Sequence, residues 1–306
     1  MNYNELLKNG ITTLIDNNLE KKIAKQDAEE LLLFCLHWKK ADLIKQRNSE
    51  IRSSERSVYE RMIAERSSGK PLEYIVHNAV FFGYSFFVNE ATLIPRVDSE
   101  VIVEHAIAWF KKNAGFLNEK MKNRNKVKIL DACCGSGCLS ISFVKTLIDK
   151  KMIDLIFLKN IELSLLDVSS SAMQVVKINM QKLQLDGVID VKYLISDVLI
   201  NGFGNEKYDI ILCNPPYIET SAIKDLDKSV KDYEPYLALD GGYDGLKFYK
   251  SLAVMMEKNF TTNSVAFFEI GYNQGSTAKE IFVKNNFVVK IQKDYGKNDR
   301  CLIVSK

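Results

Sequence analysis

From Val127 to the end of the chain, short apolar runs of strand character alternate with longer amphipathic runs of helical period, and this alternation constrains the fold most. Strands are predicted at Val127–Asp131, Leu163–Asp167, Val191–Ile195, Tyr208–Cys213, Val265–Ile270, Val288–Gln292 and Cys301–Ser305. Helices are predicted from about Cys138, over Ser169–Leu183, over Gly245–Lys258 and over Gly275–Asn285. Strands separated by helices form a mostly parallel α/β sheet covered on both faces. The last two strands leave no room for a crossover helix, so they form a hairpin and the last strand runs antiparallel.

The first part of the chain follows a different pattern. Residues 1–70 read as helical: Ala28, Leu31, Leu32 and Cys35 recur at helical spacing, and Ser53–Ser67 continues as a charged amphipathic segment. Ser68-Gly69-Lys70-Pro71 breaks the pattern. The aromatic stretch Val80-Phe81-Phe82-Gly83-Tyr84-Ser85-Phe86-Phe87-Val88 reads as a β-hairpin. The expected organisation is a helical domain over 1–70, a hairpin connector over 71–100 and a nucleoside-binding domain over 101–306.

In open α/β sheets, ligands gather at the carboxyl ends of strands. Three strand ends here carry chemistry. Asp131-Ala132-Cys133-Cys134-Gly135-Ser136-Gly137 joins the first of these strands to its helix, and its glycines permit close approach of a ligand to the backbone. Asp167 ends the second strand, where a carboxylate can accept two hydrogen bonds from a ribose diol. Ser196-Asp197 follows the third, where Asp197 can accept from an adenine amino group. Each aspartate alone reads more readily as a helix cap or turn former; together at successive strand ends they describe a nucleoside slot. There is no G-x-G-x-x-G and no G-x-x-x-x-G-K-[ST], so neither a dinucleotide nor a nucleoside triphosphate is indicated. S-adenosylmethionine, with ribose and adenine but no phosphate, fits the slot.

After Tyr208–Cys213 comes Asn214-Pro215-Pro216-Tyr217. The Asn214 side-chain oxygen and the Pro215 backbone oxygen are acceptors, and proline fixes the turn. Two rigid acceptors suit a planar –NH2 group with two donors, and Tyr217 adds an aromatic face. Two of the chain's five prolines sit in this tetrapeptide. A proline-rich turn after a strand is the bland alternative.

Composition narrows the partners. A net charge of +3 over 306 residues, without a basic stripe, does not suggest a dedicated or stable nucleic-acid binder. The N-terminus lacks the pattern of a signal peptide, and no apolar run reaches membrane-spanning length. The six cysteines, three of them at Cys133, Cys134 and Cys138, match neither a zinc pattern nor a disulfide framework. No metal is expected, and a reducing, cytoplasmic compartment is.

Taken together, these residues resemble the release-factor glutamine methyltransferases of the HemK/PrmC type, within the class I S-adenosylmethionine-dependent methyltransferases, whose sheet is Rossmann-like. The resemblance covers nearly the whole chain. It extends to Pro71-Leu72-Glu73-Tyr74-Ile75, Leu93-Ile94-Pro95-Arg96-Val97-Asp98-Ser99-Glu100, Tyr233-Glu234-Pro235-Tyr236-Leu237-Ala238-Leu239, Gly241-Gly242-Tyr243-Asp244-Gly245-Leu246, Glu269-Ile270-Gly271-Tyr272 and Asn298-Asp299-Arg300. It implies N5-methylation of the glutamine in the Gly-Gly-Gln loop of a peptide chain release factor. It also implies cofactor contacts from Asp131, Cys133, Cys134, Gly135, Ser136, Gly137, Asp167, Asp197, Val198 and Asn214, and catalytic work by Asn214, Pro215, Pro216 and Tyr217. Arg96 and Glu100 are expected to hold the connector on the large domain. The sequence departs from the family at Glu73, often glutamine; at Val97, often proline; at Val198, often aromatic; and at Cys133, commonly glycine. Cysteine fits the last position with a negative φ, the conformation expected here. The alternatives are a ribosomal-protein glutamine methyltransferase, a DNA adenine-N6 methyltransferase and a non-catalytic cofactor-binding protein. A DNA enzyme must flip its base and hold phosphates, for which no target-recognition domain is evident.

Overall fold

The computed structural model describes residues 1–123 and 125–306. They divide into two compact units: Met1–Asn78 with Asp227–Tyr233, and Ala79–Leu226 with Glu234–Lys306.

The first unit is helical: α1 (Tyr3–Asp16), α2 (Lys21–Leu36), α3 (Lys40–Gln46), α4 (Ser53–Ser67) and the short α5 (Leu72–Ile75). A reciprocal cap starts α1: Glu5 N–H donates to Asn2 Oδ1, and Asn2 N–H donates to a Glu5 carboxylate oxygen. The apolar stripes of α1, α2 and α4 close over Leu6, Leu14, Ala28, Leu31, Leu32, Tyr59 and Ile63. Arg66 and the buried Asp27 pair at 2.6 Å, so the one carboxylate drawn into this core keeps a partner. Ile75 and Val76 complete the same cluster. Residues 71–78 therefore pack with the helices, and the division falls at Asn78/Ala79 rather than at residue 70, because α5 carries apolar side chains that α4 covers.

The second unit opens with the hairpin β1 (Ala79–Phe81) and β2 (Tyr84–Phe86), whose Phe81 and Phe86 join the main core. Then follow α6 (Glu100–Lys112), α7 (Ala114–Lys122), β3 (Val127–Ala132), α8 (Cys138–Asp149), β4 (Ile161–Asp167), α9 (Ser170–Lys182), β5 (Asp190–Ile195), α10 (Val198–Asn201) and β6 (Tyr208–Cys213). After α11 (Lys228–Lys231), which belongs to the first unit, come α12 (Lys247–Met255), β7 (Phe260–Glu269), α13 (Gly275–Lys284), β8 (Val288–Lys293) and β9 (Asp299–Ser305). The sheet order is β5-β4-β3-β6-β7-β9-β8. The first five strands in that order pair in parallel; β9 is antiparallel to both neighbours, and the closing hairpin is present. β4 is buried from Ile161 to Leu166, as a strand covered on both faces must be.

β3 leads outward through β4 to β5 on one side, and β6 starts the other side. The strand order therefore reverses between β3 and β6. That is the topological switch point, where α/β sheets open a crevice beyond their carboxyl ends. Two of the predicted strand ends meet there. The predicted Gly245–Lys258 helix starts only at Lys247, because Gly245 has φ +68° and Asp244 accepts the Leu246 N–H in a turn. Among the described residues, no helix is long and apolar enough to cross a membrane, and no cluster of metal-ligating side chains occurs.

Candidate active site

A cavity of about 310 Å³ lies at the switch point, within the second unit. Of the predicted residues, Cys133, Cys134, Gly135, Ser136, Asp167, Asp197, Val198, Asn214 and Pro216 line it; Asp131, Gly137, Pro215 and Tyr217 do not.

The turn after β3 is bent by three residues with positive φ: Cys133 at 56°, Gly135 at 51° and Gly137 at 76°. The negative φ expected for Cys133 is thus not what the fold adopts. Cys134 N–H donates to Leu166 O on β4 and Gly137 N–H donates to Cys134 O, and these bonds impose the left-handed bend before it. A side chain there opposes the backbone by roughly 1–2 kcal/mol, which accounts for glycine being common at this position in the family. At Gly135 a Cβ would meet nothing within 4 Å, so its face is open to the cavity.

Asp167 does two jobs. Its Oδ2 accepts from Gly135 N–H and its Oδ1 from Ser169 N–H, both at 2.9 Å, while the residue lines the cavity. Burial pushes its carboxyl up, and those N–H groups pull it back. It ties the turn after β3 to the start of α9 and still presents acceptor lone pairs to a ligand. Asp197 caps α10 through Leu199 N–H at 2.8 Å and lines the same cavity. The cap reading and the ligand reading are therefore compatible at both positions.

Asp131 is fully buried and serves the frame. Its Oδ2 accepts from Ser140 N–H (3.2 Å) and Oγ (2.6 Å) in the first turn of α8. Burial pushes its carboxyl up to about 7. Burial also raises the Cys134, Cys138 and Cys213 thiols, Cys138 to about 12, so they are inert as nucleophiles near neutral pH.

The Asn214–Tyr217 loop is held from outside the cavity. Tyr217 Oη donates to Glu269 Oε1 at 3.0 Å, at the end of β7. Gln274 Nε2 donates to the Tyr217 carbonyl at 2.9 Å and to the Gly245 carbonyl at 3.2 Å. Ile218 N–H donates to Leu239 O, and Gly241 N–H donates to Ile218 O. Gly241 fits because a Cβ would stand 2.7 Å from Tyr217 Cα. By contrast, none of the described residues hydrogen-bonds the Asn214 side chain or the Pro215 carbonyl, although Pro215 is buried. Both acceptors are thus left unspent by the described residues.

Sequence reading missed several contributors. Thr92, Leu93, Pro95, Arg96 and Ser99 form one wall, and Phe248 supplies an aromatic ring on the wall that includes Val198 and Leu199. Glu234 accepts from Ile94 N–H and pairs with the Arg96 guanidinium, which holds that wall. Glu100 accepts from Phe82 N–H at 2.7 Å, holding the hairpin. The buried Asn179 joins the Phe87 backbone to Ser136 O. Arg96 and Glu100 are the two of these already expected to hold the connector; the others carry no signal of their own in the sequence.

The mostly parallel sheet with its antiparallel last strand, and a cavity at its switch point, form the fold of the class I methyltransferases. The sequence pattern of the PrmC N-terminal domain matches residues 5–76, and that of the methyltransferase small domain matches residues 110–229. The chain is 32% identical to the release factor glutamine methyltransferase of Clostridium acetobutylicum, covering 91% of this chain and 90% of that protein. It is 31% identical to that of Flavobacterium psychrophilum, with 90% of each covered. Among solved structures, the release factor-specific protein-(glutamine-N5) methyltransferase of Alicyclobacillus acidocaldarius matches with a TM-score of 0.37 and 22% identity, over 72% of this chain and 98% of that one. The chain belongs to the release factor glutamine methyltransferase family.

Proposed function

We propose that this enzyme transfers a methyl group from S-adenosylmethionine to the side-chain nitrogen of the glutamine in the Gly-Gly-Gln loop of a peptide chain release factor. The observation that carries the reading is the pair of acceptors unspent by the described residues just after β6: Asn214 Oδ1, on a residue that lines the cavity, and the carbonyl of Pro215, next in the chain. The relatives' names supply the substrate.

The residues present suit the cofactor. Asp167 takes the ribose hydroxyls, Asp197 the adenine amino group, and Gly135 with Ser136 the approach along the backbone. Phe248 and Val198 give the adenine apolar contact in place of the family's usual aromatic residue after the aspartate. The bound cofactor supplies an electrophilic methyl carbon on sulfur.

An amide nitrogen is a poor nucleophile because its lone pair is delocalised into the carbonyl. Asn214 and Pro215 accept its two N–H bonds, aim the nitrogen and stabilise the positive charge that grows on it. Pro216 fixes the turn, and Tyr217 anchors it. The alkylated nitrogen is strongly acidic, so water takes its proton and no side-chain base is assigned. The raised thiols supply no nucleophile, consistent with direct transfer. The helical unit would dock a second surface of the factor, and a translation partner would place the enzyme in the cytoplasm.

The test is labelled methyl transfer into a whole-cell lysate and into purified release factors. A release factor should be the labelled polypeptide, and changing its Gly-Gly-Gln glutamine to alanine should abolish the label. Efficient labelling of DNA, with no labelled factor, would overturn the reading.

A further inference from the structure

We infer that Glu269 is a positioning residue for methyl transfer, setting the Asn214–Tyr217 loop through the Tyr217 hydroxyl. The inference rests on the methyl-transfer reading above. Glu269 ends β7 and is 1% exposed, yet it does not line the cavity. A carboxylate this deep is costly unless it is paired and hydrogen-bonded. Its Oε1 accepts from Tyr217 Oη at 3.0 Å. Burial pushes the Glu269 carboxyl up, and Ser99, Arg300 and Tyr217 oppose that, but the Arg300 N–H groups go to Asp294, to Asp98 and to the Ile270 carbonyl. The side-chain oxygen thus serves the loop that carries Asn214, three residues before Tyr217.

The backbone around Glu269 turns the same way. The Glu269 carbonyl accepts from Tyr249 Oη at 2.7 Å. Five residues on, Gln274 folds back so that its Oε1 accepts from Gly271 N–H and its Nε2 donates to the Tyr217 carbonyl. Tyr217 is therefore held at its hydroxyl by β7 and at its carbonyl by the turn after β7. Neither end of Asn214–Tyr217 can drift: Cys213 is locked in β6, and Tyr217 is clamped. Acceptors that must meet a reacting amide within a fraction of an ångström need that support, because small misplacements cost large factors in rate.

The experiment compares Glu269→Ala, Glu269→Gln, Tyr217→Phe and the double variant Glu269→Ala/Tyr217→Phe in the full chain. Methyl transfer to a purified release factor and S-adenosylhomocysteine binding are both measured. Glu269→Ala should lower kcat at least tenfold, with cofactor-product affinity within threefold of wild type. Glu269→Gln, whose amide oxygen accepts the same bond, should restore most of that loss. The double variant should be no slower than the worse single variant, because both remove one link. Additive losses, or a glutamine variant as slow as the alanine variant, would overturn the inference. Failure of the wild type to label any release factor would refute the methyl-transfer reading instead. The link is then judged by unfolding in denaturant, where the effects of the two single variants on the unfolding constant should be non-additive by at least threefold. Strict additivity there would overturn it.

Discussion

Asn214→Ala separates chemistry from folding because the structure gives this side chain no work in the fold. None of the described residues hydrogen-bonds it, and it is only half-buried at the cavity wall. Truncation should therefore change stability by about 0.5 kcal/mol or less, the range of substitutions that break no cap, pair or core contact. Catalysis should respond differently. One of two fixed acceptors on the reacting nitrogen disappears, and one substrate N–H is left unpaired in a confined site. Losing a preorganised contact to developing charge lowers kcat by about 10²–10³, equivalent to roughly 2.7–4 kcal/mol. The assay is labelled methyl transfer at saturating cofactor, run beside calorimetric titration with S-adenosylhomocysteine and denaturant unfolding. Turnover within threefold of wild type would refute the acceptor role. Parallel loss of S-adenosylhomocysteine binding would place Asn214 in the cofactor set as well, where the sequence reading also puts it.

Asp167→Ala should weaken S-adenosylhomocysteine binding by about ten- to a hundredfold, since hydrogen bonds to a charged group contribute about 1.5–3 kcal/mol; an unchanged dissociation constant in calorimetry would leave Asp167 as a helix cap only. Gly241→Ala should lower turnover at least tenfold while sparing cofactor affinity, because its Cβ would stand 2.7 Å from Tyr217 backbone atoms; kinetics and calorimetry on one preparation decide this. Gly10→Ala would drive a methyl into the Tyr59 hydroxyl and should destabilise the helical unit by about 1–3 kcal/mol, read as a lowered denaturation midpoint with S-adenosylhomocysteine binding unchanged. Asp131 gives a pH signature. Its folded-state pKa of about 7 lies above the unfolded value, so the native state holds the extra proton, and stability from this group falls as pH rises from about 4 to 7. Asp131→Asn removes that titration, and its advantage over wild type in denaturant unfolding should grow across this window and level off above it; parallel stability curves would contradict the assignment.

The α/β frame was legible because its signals are local. β3, β4 and β6 are apolar runs with a period the sequence displays directly, and each ends in a polar residue or a glycine turn. The Asp167 and Asp197 positions followed from strand ends alone. The support of the site was not legible in the same way. Glu269 and Tyr217 are 52 positions apart, and no periodicity links them. Arg96 is expected from the sequence to hold the connector, but its partner Glu234 lies farther away still and nothing local links the two. Cys133 shows the converse. Its residue type argued for a negative φ, but the hydrogen bonds from Cys134 to β4 and from Gly137 to Cys134 override that local preference.

These misses share one physical cause. The groups that would touch ligand sit at strand ends, where the chain itself announces them, whereas the groups that hold those residues still come from distant strand ends and loops. A rigid acceptor pair requires a loop whose own hydrogen bonds are satisfied elsewhere, so the Tyr217 hydroxyl and carbonyl are spent on β7 and its following turn while Asn214 and Pro215 are left unspent. The same division of labour explains the glycines. Gly241 lets a second loop lie against the Tyr217 backbone, and at Gly245, with φ +68°, a Cβ would collide with the Tyr217 carbonyl oxygen. Segments that carry no ligand contact can therefore be as demanding in sequence as the tetrapeptide itself. Glu269-Ile270-Gly271 and Gly241-Gly242 are specified by the loop they must hold, and a chain that kept Asn214-Pro215-Pro216-Tyr217 but lost them would keep the acceptors without their aim.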